Sequence, residues 1–142
     1  MSDTMRLPDW HFACAQVAID FAVAIDHEDF ERVPMLFTED GVLDRFGHLA
    51  QGRAAIMRWL KEERPKQLIR HVCSNFSGRL LPSGEVEGST YFTAYRAMGA
   101  PSLPVKSTIP LMVGEWHDLF VHIAEGWRIK RRSIDAAFVA AD

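Results

Sequence analysis

The apolar positions of this chain follow a helical period first and an extended period later. Near the start, four apolar side chains recur at spacings of three and four residues: Phe12, Ala15, Ile19 and Ala22. This stripe predicts an amphipathic helix over residues 8–26, and its next position is Asp26. An ionisable group on a buried stripe must pair with another group, lie at a pocket, or mark the point where the helix reaches solvent. Asp26 is therefore the first candidate for chemistry.

Two shorter helical segments follow. A polar break at 27–29 precedes a short helix that Asp29 can cap, and this helix is expected to end near Phe37. Pro34 limits its length, because proline cannot continue a helix interior. A turn at 39–41 leads into a first strand over 42–46. A third helix is predicted over 52–61, before Pro65.

Beyond Pro65 the apolar period becomes two. Long strands are predicted at 67–81, 85–97, 111–123 and 127–134, separated by turns at 82–84 and 124–126 and by a proline-rich loop at 98–110. We expect that loop near a cavity mouth or at a subunit contact. The Ala-rich tail at 135–142 is frayed or covers a neighbour. The order predicts a single α+β domain over 1–142, with three N-terminal helices on a mainly antiparallel sheet.

Composition excludes several classes of function. With 16 basic and 19 acidic residues the net charge is −3, which predicts no nucleic-acid footprint and no basic membrane patch. No apolar run approaches bilayer length, and no signal-peptide core is visible. Cys14 and Cys73 form no Cys-x-x-Cys motif, so we expect reduced thiols in a cytoplasmic protein. No histidine spacing suggests a metal, and no cofactor motif is present.

His71 is the second candidate for chemistry. Strand alternation places it on one face with Ile69, Cys73 and Asn75. A neutral imidazole accepts a proton near neutral pH, and a carboxylate on its other nitrogen fixes the tautomer and stabilises the imidazolium. We therefore predict a contact of roughly 2.6–3.2 Å between Asp26 and His71. The alternatives are a helix-terminal acid bound to backbone amides and a core histidine.

Other side chains are candidates for binding a substrate. Asn75 either polarises a substrate oxygen or bridges backbone groups. Trp116 either walls a pocket or fills the core. Asp118 is either a second acid or the ion-pair partner of a strand arginine such as Arg131. The remaining candidate pocket walls, which would serve equally well as plain core, are Phe21, Phe46, Trp59, Phe92, Tyr95 and Val113.

Several segments, in this order, resemble one family. They lie at 24–30, 36–42, 52–56, 70–75, 114–118 and 126–129, and include Arg70-His71 and Gly114-Glu115-Trp116-His117-Asp118. Together they resemble the SnoaL-like branch of the nuclear transport factor 2-like superfamily. The resemblance implies a cone-shaped barrel of strongly curved sheet, with a deep apolar pocket between the sheet and the helices. It also implies a homo-oligomer, either a dimer or a trimer.

The resemblance further implies a chemistry. Scytalone dehydratase and hexachlorocyclohexane dehydrochlorinase are similar, and their histidine base and orienting aspartate match His71 and Asp26. The implied activity is that of a cofactor-free lyase or isomerase, such as a dehydratase, dehydrohalogenase or polyketide cyclase-like enzyme, acting on a small apolar or aromatic ligand. Phe21 and Trp116 stand where many relatives have tyrosine, so no phenolic acid is implied. Alternatives are a non-catalytic ligand-binding protein and the small structural subunit of an aromatic-ring dioxygenase.

Overall fold

Six strands form one sheet, and the helices pack against one of its faces. The structure, a computed structural model, describes residues 8–106 and 109–141. Its elements in chain order are α1 (Asp9–Asp26), α2 (Arg32–Met35), β1 (Phe37–Arg45), β2 (His48–Gln51), α3 (Arg53–Arg58), which continues into a π-helical turn (Trp59–Glu63), β3 (Gln67–Leu80), β4 (Val86–Met98), β5 (Met112–Ile123) and β6 (Gly126–Val139).

The strand order is β2-β1-β6-β5-β4-β3. Only the β1–β6 pair is parallel, and the other neighbours are antiparallel. In the part of the chain that the structure describes, β2 and β3 are the two edges and do not pair with each other. The sheet is therefore an open, cone-like curved sheet rather than a closed barrel. The predicted α+β class is confirmed.

The buried face of α1 differs from the predicted stripe. Phe12 and Ile19 are 58% and 42% exposed. The buried positions are instead Cys14, Val17, Ala18, Phe21, Ala22, Ala24 and Ile25. Apolar residues surround most of this helix, so a second stripe with equally good spacing fits the same sequence. Asp26 still reaches the inner side of the fold, because it lies four residues after the buried Ala22 and shares its side of the helix.

The segment after α1 departs most from expectation. The second helix covers only Arg32–Met35, and Phe37 already belongs to β1. Strand β1 is longer than predicted because Phe37 already pairs with Ile129 of β6, ahead of the irregularity that precedes Val42. The short strand β2 was not predicted. It returns through a turn at Phe46 and Gly47, which have φ values of 54° and 92°, and the Gly47 N–H donates to Asp44.

The last strand also extends further than predicted. Instead of ending near Ile134, β6 continues to Val139, where it pairs with Met112 at the start of β5. Residues 135–139 of the tail therefore form part of a sheet strand rather than a frayed segment, and Asp142 lies outside the described residues. Among the described helices, none is long and apolar enough to cross a membrane.

Candidate active site

Asp26 and His71 meet where the end of α1 crosses β3. The ring Nδ1 of His71 lies 2.6 Å from Oδ1 of Asp26, and the backbone N–H of His71 donates to Oδ2 at 2.8 Å. The side chains of His71 and Asp26 are only 10% and 6% exposed. The predicted contact is therefore present, and it includes a backbone hydrogen bond that the sequence did not suggest.

These two bonds determine the protonation pattern of the imidazole. An ionised carboxylate only accepts hydrogen bonds, so Nδ1 of His71 carries the proton that it donates to Asp26. In the neutral ring Nε2 is then unprotonated and free to accept a proton. The carboxylate also stabilises the imidazolium that such a transfer creates. The pair has the arrangement of a general base with its orienting acid.

Aromatic rings surround His71. Phe92 stacks on Trp116 with ring centroids 5.0 Å apart, and Phe21 meets Trp116 edge-on at 5.4 Å. The His71 ring lies 5.6 Å from Trp116 and 5.9 Å from Phe92. Both Phe92 and Trp116 are buried. The base therefore lies against an apolar wall, where water competes weakly for a proton.

A cavity of about 270 Å³ opens beside this wall. His71 lines it together with five of the predicted wall residues: Phe21, Phe46, Trp59, Phe92 and Trp116. Its volume exceeds the ~150 Å³ cavity that holds benzene in an engineered protein core, and it lies near the lower end of the ~300–1,000 Å³ range of ligand pockets. A ligand of one or two rings fits this space.

Three predicted binding residues lie outside the cavity lining because of strand geometry. Asn75 is exposed at a bulge in β3, with φ 54°, and this bulge breaks the alternation that would have placed it beside His71. Tyr95 is three residues from the buried Phe92 and therefore faces the other side of β4. Val113 has the opposite parity to the buried Trp116 on β5.

Asp118 is the fourth predicted binding residue that the cavity lining excludes. It forms a bidentate ion pair with Arg132, with both N–O distances 2.7 Å and both side chains fully buried. The partner is thus Arg132 and not Arg131, which is exposed and pairs with Asp44. The Arg132 guanidinium lies 4.5 Å from the Phe21 ring centroid and 4.2 Å from that of Trp116. The pair supports the aromatic wall from behind.

Sequence reasoning missed the polar part of the lining. Arg45, Arg64, Gln67 and Arg96 line the cavity, and none belongs to a recognised motif. Only position offers a signal: Arg45 ends β1, and Arg64 and Gln67 flank the entry into β3. The ends of strands and helices often line cavity mouths, but the sequence does not show that these ends converge.

The proline-rich loop begins and ends beside the cavity. Arg96 before it, and Leu111 and Met112 after it, line the cavity, whereas its described residues do not. The two flanks of the loop therefore lie beside the cavity, and the expectation of a loop near the cavity mouth or at a subunit contact stays a prediction. Ser107 and Thr108 lie outside the described residues.

Burial keeps the two thiols protonated. Desolvation raises the pKa of Cys14 to about 12, and the nearby Asp118 carboxylate acts in the same direction. Desolvation also raises the pKa of Cys73 to about 11, with Arg132 opposing and Asp26 reinforcing the rise. A thiol nucleophile needs a lowered pKa, so Cys73 is not suited to that role despite its place near His71.

A larger recess of about 580 Å³ lies elsewhere on the sheet, along Gly78, Glu87, His117 and Arg131. Neither His71, Asp26 nor the aromatic wall belongs to its lining. Its carboxylates, Glu87 and Asp118, form ion pairs with Arg79 and Arg132. Among the described residues, no group of three or more histidine, cysteine or carboxylate side chains is arranged to hold a metal. In the smaller cavity, by contrast, the Asp26–His71 pair lies beside an apolar wall.

An open curved sheet with helices on one face is the fold of the nuclear transport factor 2-like class. Within that class, the model of the SnoaL-like domain family matches residues 11–133. The chain therefore belongs to the SnoaL-like family. This fold is typical of cyclases, dehydratases and isomerases.

Relatives and solved structures are similar over most of the chain. An uncharacterised protein of Mycobacterium tuberculosis is 28% identical over 121 residues, which cover 82% of this chain and 78% of the relative. The structure of ActVI-ORFA from Streptomyces coelicolor has a TM-score of 0.78 at 19% identity, covering 92% of this chain and 98% of that one. A scytalone dehydratase-like protein of Novosphingobium aromaticivorans has a TM-score of 0.74 at 20% identity, covering 90% and 84%. At these identities the solved structures show a shared fold.

Proposed function

We propose that this protein is a lyase or isomerase that removes a proton from a small, apolar, cyclic substrate, with His71 as the base. The observation that carries the proposal is the double hydrogen bond from His71 to Asp26 at the wall of an apolar cavity. A positioned general base contributes about 10²–10⁴-fold to a rate.

The proposed step uses the free nitrogen of the imidazole. Nε2 of His71 takes a proton from a carbon next to a carbonyl, or from a carbon adjacent to one that bears a leaving group. In the first case the electron pair moves into the carbonyl, and the proton returns at another carbon to shift the double bond. In the second case the electron pair forms a new double bond, and the leaving group departs. Asp26 stabilises the imidazolium in both cases.

The aromatic wall restricts which leaving groups suit this chemistry. Phe21 and Trp116 contribute no phenol to the cavity, so neither can protonate a departing oxygen as a tyrosine would. A halide or a stabilised anion leaves without an acid, and an isomerisation has no leaving group. The imidazolium of His71 can also return its proton to the substrate. We therefore favour double-bond shifts, and eliminations with a good leaving group.

A ligand screen followed by an exchange assay tests the proposal. Cyclic hydroxy-ketones, halogenated rings and β,γ-unsaturated ketones are screened by tryptophan fluorescence, since Trp59 and Trp116 line the cavity. Each binder is then incubated with the protein in D₂O and followed by NMR. We expect at least one binder to incorporate deuterium at carbon or to lose its leaving group. Tight binders without either change would contradict the enzyme proposal and favour a ligand-binding protein.

A further inference from the structure

Positive charge gathers at one side of the cavity. Arg45, Arg64 and Arg96, which we call the arginine rim, line the cavity. All three also line an adjoining recess of about 390 Å³. Trp59 and Gln67 belong to both linings as well. The two spaces thus share one boundary, and the arginine rim forms the charged part of it.

Arg45 is held against an aromatic ring, and no described carboxylate is hydrogen-bonded to it. Its guanidinium lies 4.0 Å from the ring centroid of Trp59, which holds the side chain by a cation–π contact. Its Nε is buried and has no hydrogen-bond partner among the described residues. Burial lowers the pKa of Arg45, against the opposing effect of the Glu63 carboxylate. A buried guanidinium nitrogen without a partner is costly, and an anion that accepts its hydrogen bond would remove that cost.

Arg64 and Gln67 extend the same boundary. The backbone N–H of Arg64 donates to the carbonyl of Trp59 at 2.8 Å, which anchors the residue at the end of the π-helical turn. Burial lowers the pKa of Arg64, and the carboxylates of Glu28 and Asp26 oppose this change. Gln67 lines both spaces, and its Oε1 is buried and unpaired within the described part of the chain; this oxygen is an acceptor and does not itself bind an anion.

The charges along this boundary do not balance. Among the described residues, those that line the cavity include the arginine rim and no carboxylate. The adjoining recess adds one carboxylate, Glu63. Within these two linings three guanidinium groups therefore face one acidic side chain, while Glu28 and Asp26 act on Arg64 from outside them. Phe92 and Trp116, which line the cavity but not the recess, make that part of the lining aromatic.

We propose that the arginine rim binds a carboxylate of the substrate while its ring lies against the aromatic wall beside His71. The inference rests on the proposed function and narrows the substrate class to apolar cyclic carboxylic acids. A planar guanidinium binds a carboxylate through two parallel hydrogen bonds, which fixes direction as well as strength. The acid thus orients the ring in the cavity, so that His71 reaches one carbon rather than several.

Calorimetric titration with matched acids and amides tests the arginine rim. The probes are 2-naphthoate with 2-naphthamide, and benzoate with benzamide, because each pair differs in charge at nearly equal size. We expect the acid of at least one pair to bind about tenfold more tightly than its amide, a difference of about 1.4 kcal/mol, because only the acid forms charge-assisted hydrogen bonds with the guanidinium groups. The preference should weaken as salt is raised. Equal affinity for acid and amide, or no binding by either pair, would overturn the inference.

Substitutions in the arginine rim show which side chains cause the preference for the acid over its amide. Arg96→Gln and Arg64→Gln should each reduce the preference for the acid by severalfold, as should Arg45→Gln if it folds. Arg96 is exposed, so Arg96→Gln keeps the test decisive even where Arg45→Gln unfolds. The matched control is Arg58→Gln on α3, which is exposed and does not line either space. An acid preference that survives all three rim substitutions would also overturn the inference.

This test separates the inference from the proposed function. His71→Gln should keep the acid preference while losing proton exchange. Exchange on neutral ketones without any acid preference would reject the arginine rim and leave His71 as the base. An acid preference in a protein that exchanges no proton from any bound ligand would support the rim and reject the proposed enzyme.

Discussion

The carboxylate of Asp26 holds His71 by two hydrogen bonds, one to the ring Nδ1 and one from the backbone N–H of the same residue. The first bond selects the tautomer with a free Nε2. The second bond fixes the rotation of the carboxylate itself and ties the end of α1 to β3. Asp26 therefore both prepares the proposed base and joins two elements of the fold.

Replacing Asp26 by asparagine should reverse the tautomer of His71. The backbone N–H of His71 needs an acceptor, so the amide oxygen turns toward it and the amide NH₂ faces Nδ1. Nδ1 must then accept, which places the proton on Nε2 and blocks it as a base. We expect Asp26→Asn to lower turnover by about 10²–10⁴-fold. Two-dimensional ¹H–¹⁵N NMR of the imidazole should report the change from an unprotonated to a protonated Nε2.

Asp20→Asn is the control for this substitution. Asp20 lies on the same helix, half-buried, and pairs with Arg32 rather than with a histidine. It should leave the His71 tautomer and the turnover unchanged. An Asp26→Asn protein that keeps both the wild-type tautomer and the wild-type rate would refute the orienting role.

The buried pair of Asp118 and Arg132 should dominate the stability of the aromatic wall. Asp118→Asn leaves the fully buried guanidinium of Arg132 without its counter-ion, which costs on the order of 3–5 kcal/mol of unfolding free energy. Urea denaturation measures this loss. Arg131→Gln is the adjacent control, because its ion pair with Asp44 is exposed and worth ~0–1 kcal/mol. Similar losses for the two variants would contradict the assignment of Arg132 as the buried partner.

Stability should fall in alkaline solution because of the two thiols. The pKa of Cys14 is about 12 and that of Cys73 about 11 in the folded protein, against 9.0 for an ordinary thiol. Above about pH 9 the unfolded chain releases thiol protons that the folded chain retains, so rising pH favours unfolding. Each thiol lowers the free energy of unfolding by at most ~1.4 kcal/mol per pH unit in this range. The full stabilising effect of each thiol is present below about pH 9.

Urea midpoints between pH 7 and pH 10.5 measure this decline. The double variant Cys14→Ala/Cys73→Ala has no thiol to titrate, so its stability should fall less steeply over the same range. Parallel curves for the double variant and the wild type would show that other groups cause the alkaline loss.

Apart from the missed strand β2, the order of elements and the long strands could be predicted from sequence, because the long strands carry a clear period of two. The Asp26–His71 contact was predicted by combining a helix end with a family resemblance. The apolar stripe that was predicted to be buried and to lead to Asp26 was wrong, since Phe12 and Ile19 are exposed. An almost wholly apolar helix offers several stripes, and only packing against the sheet selects one.

Bulges account for two of the remaining errors. In β3 a bulge moves Asn75 away from the face of His71. In β6 a register shift opposite Leu119 and Phe120 leaves both Ile129 and Arg132 buried, although simple alternation from Ile129 would place Arg131 inside. One inserted residue reverses every later position of a strand. The arginine rim was missed because its members come from different elements that only the tertiary fold brings together.

The rate of carbon-bound proton exchange in His71→Gln tests the central claim most directly. The assay follows deuterium incorporation from D₂O into a ligand that binds the wild type and exchanges there. Glutamine keeps much of the bulk and can still hydrogen-bond to Asp26, but it accepts no proton near neutral pH. We predict exchange reduced by at least about 10²-fold with ligand affinity largely retained, whereas His122→Gln, an exposed site outside the cavity lining, keeps the full rate. Exchange at the wild-type rate in His71→Gln would contradict the account.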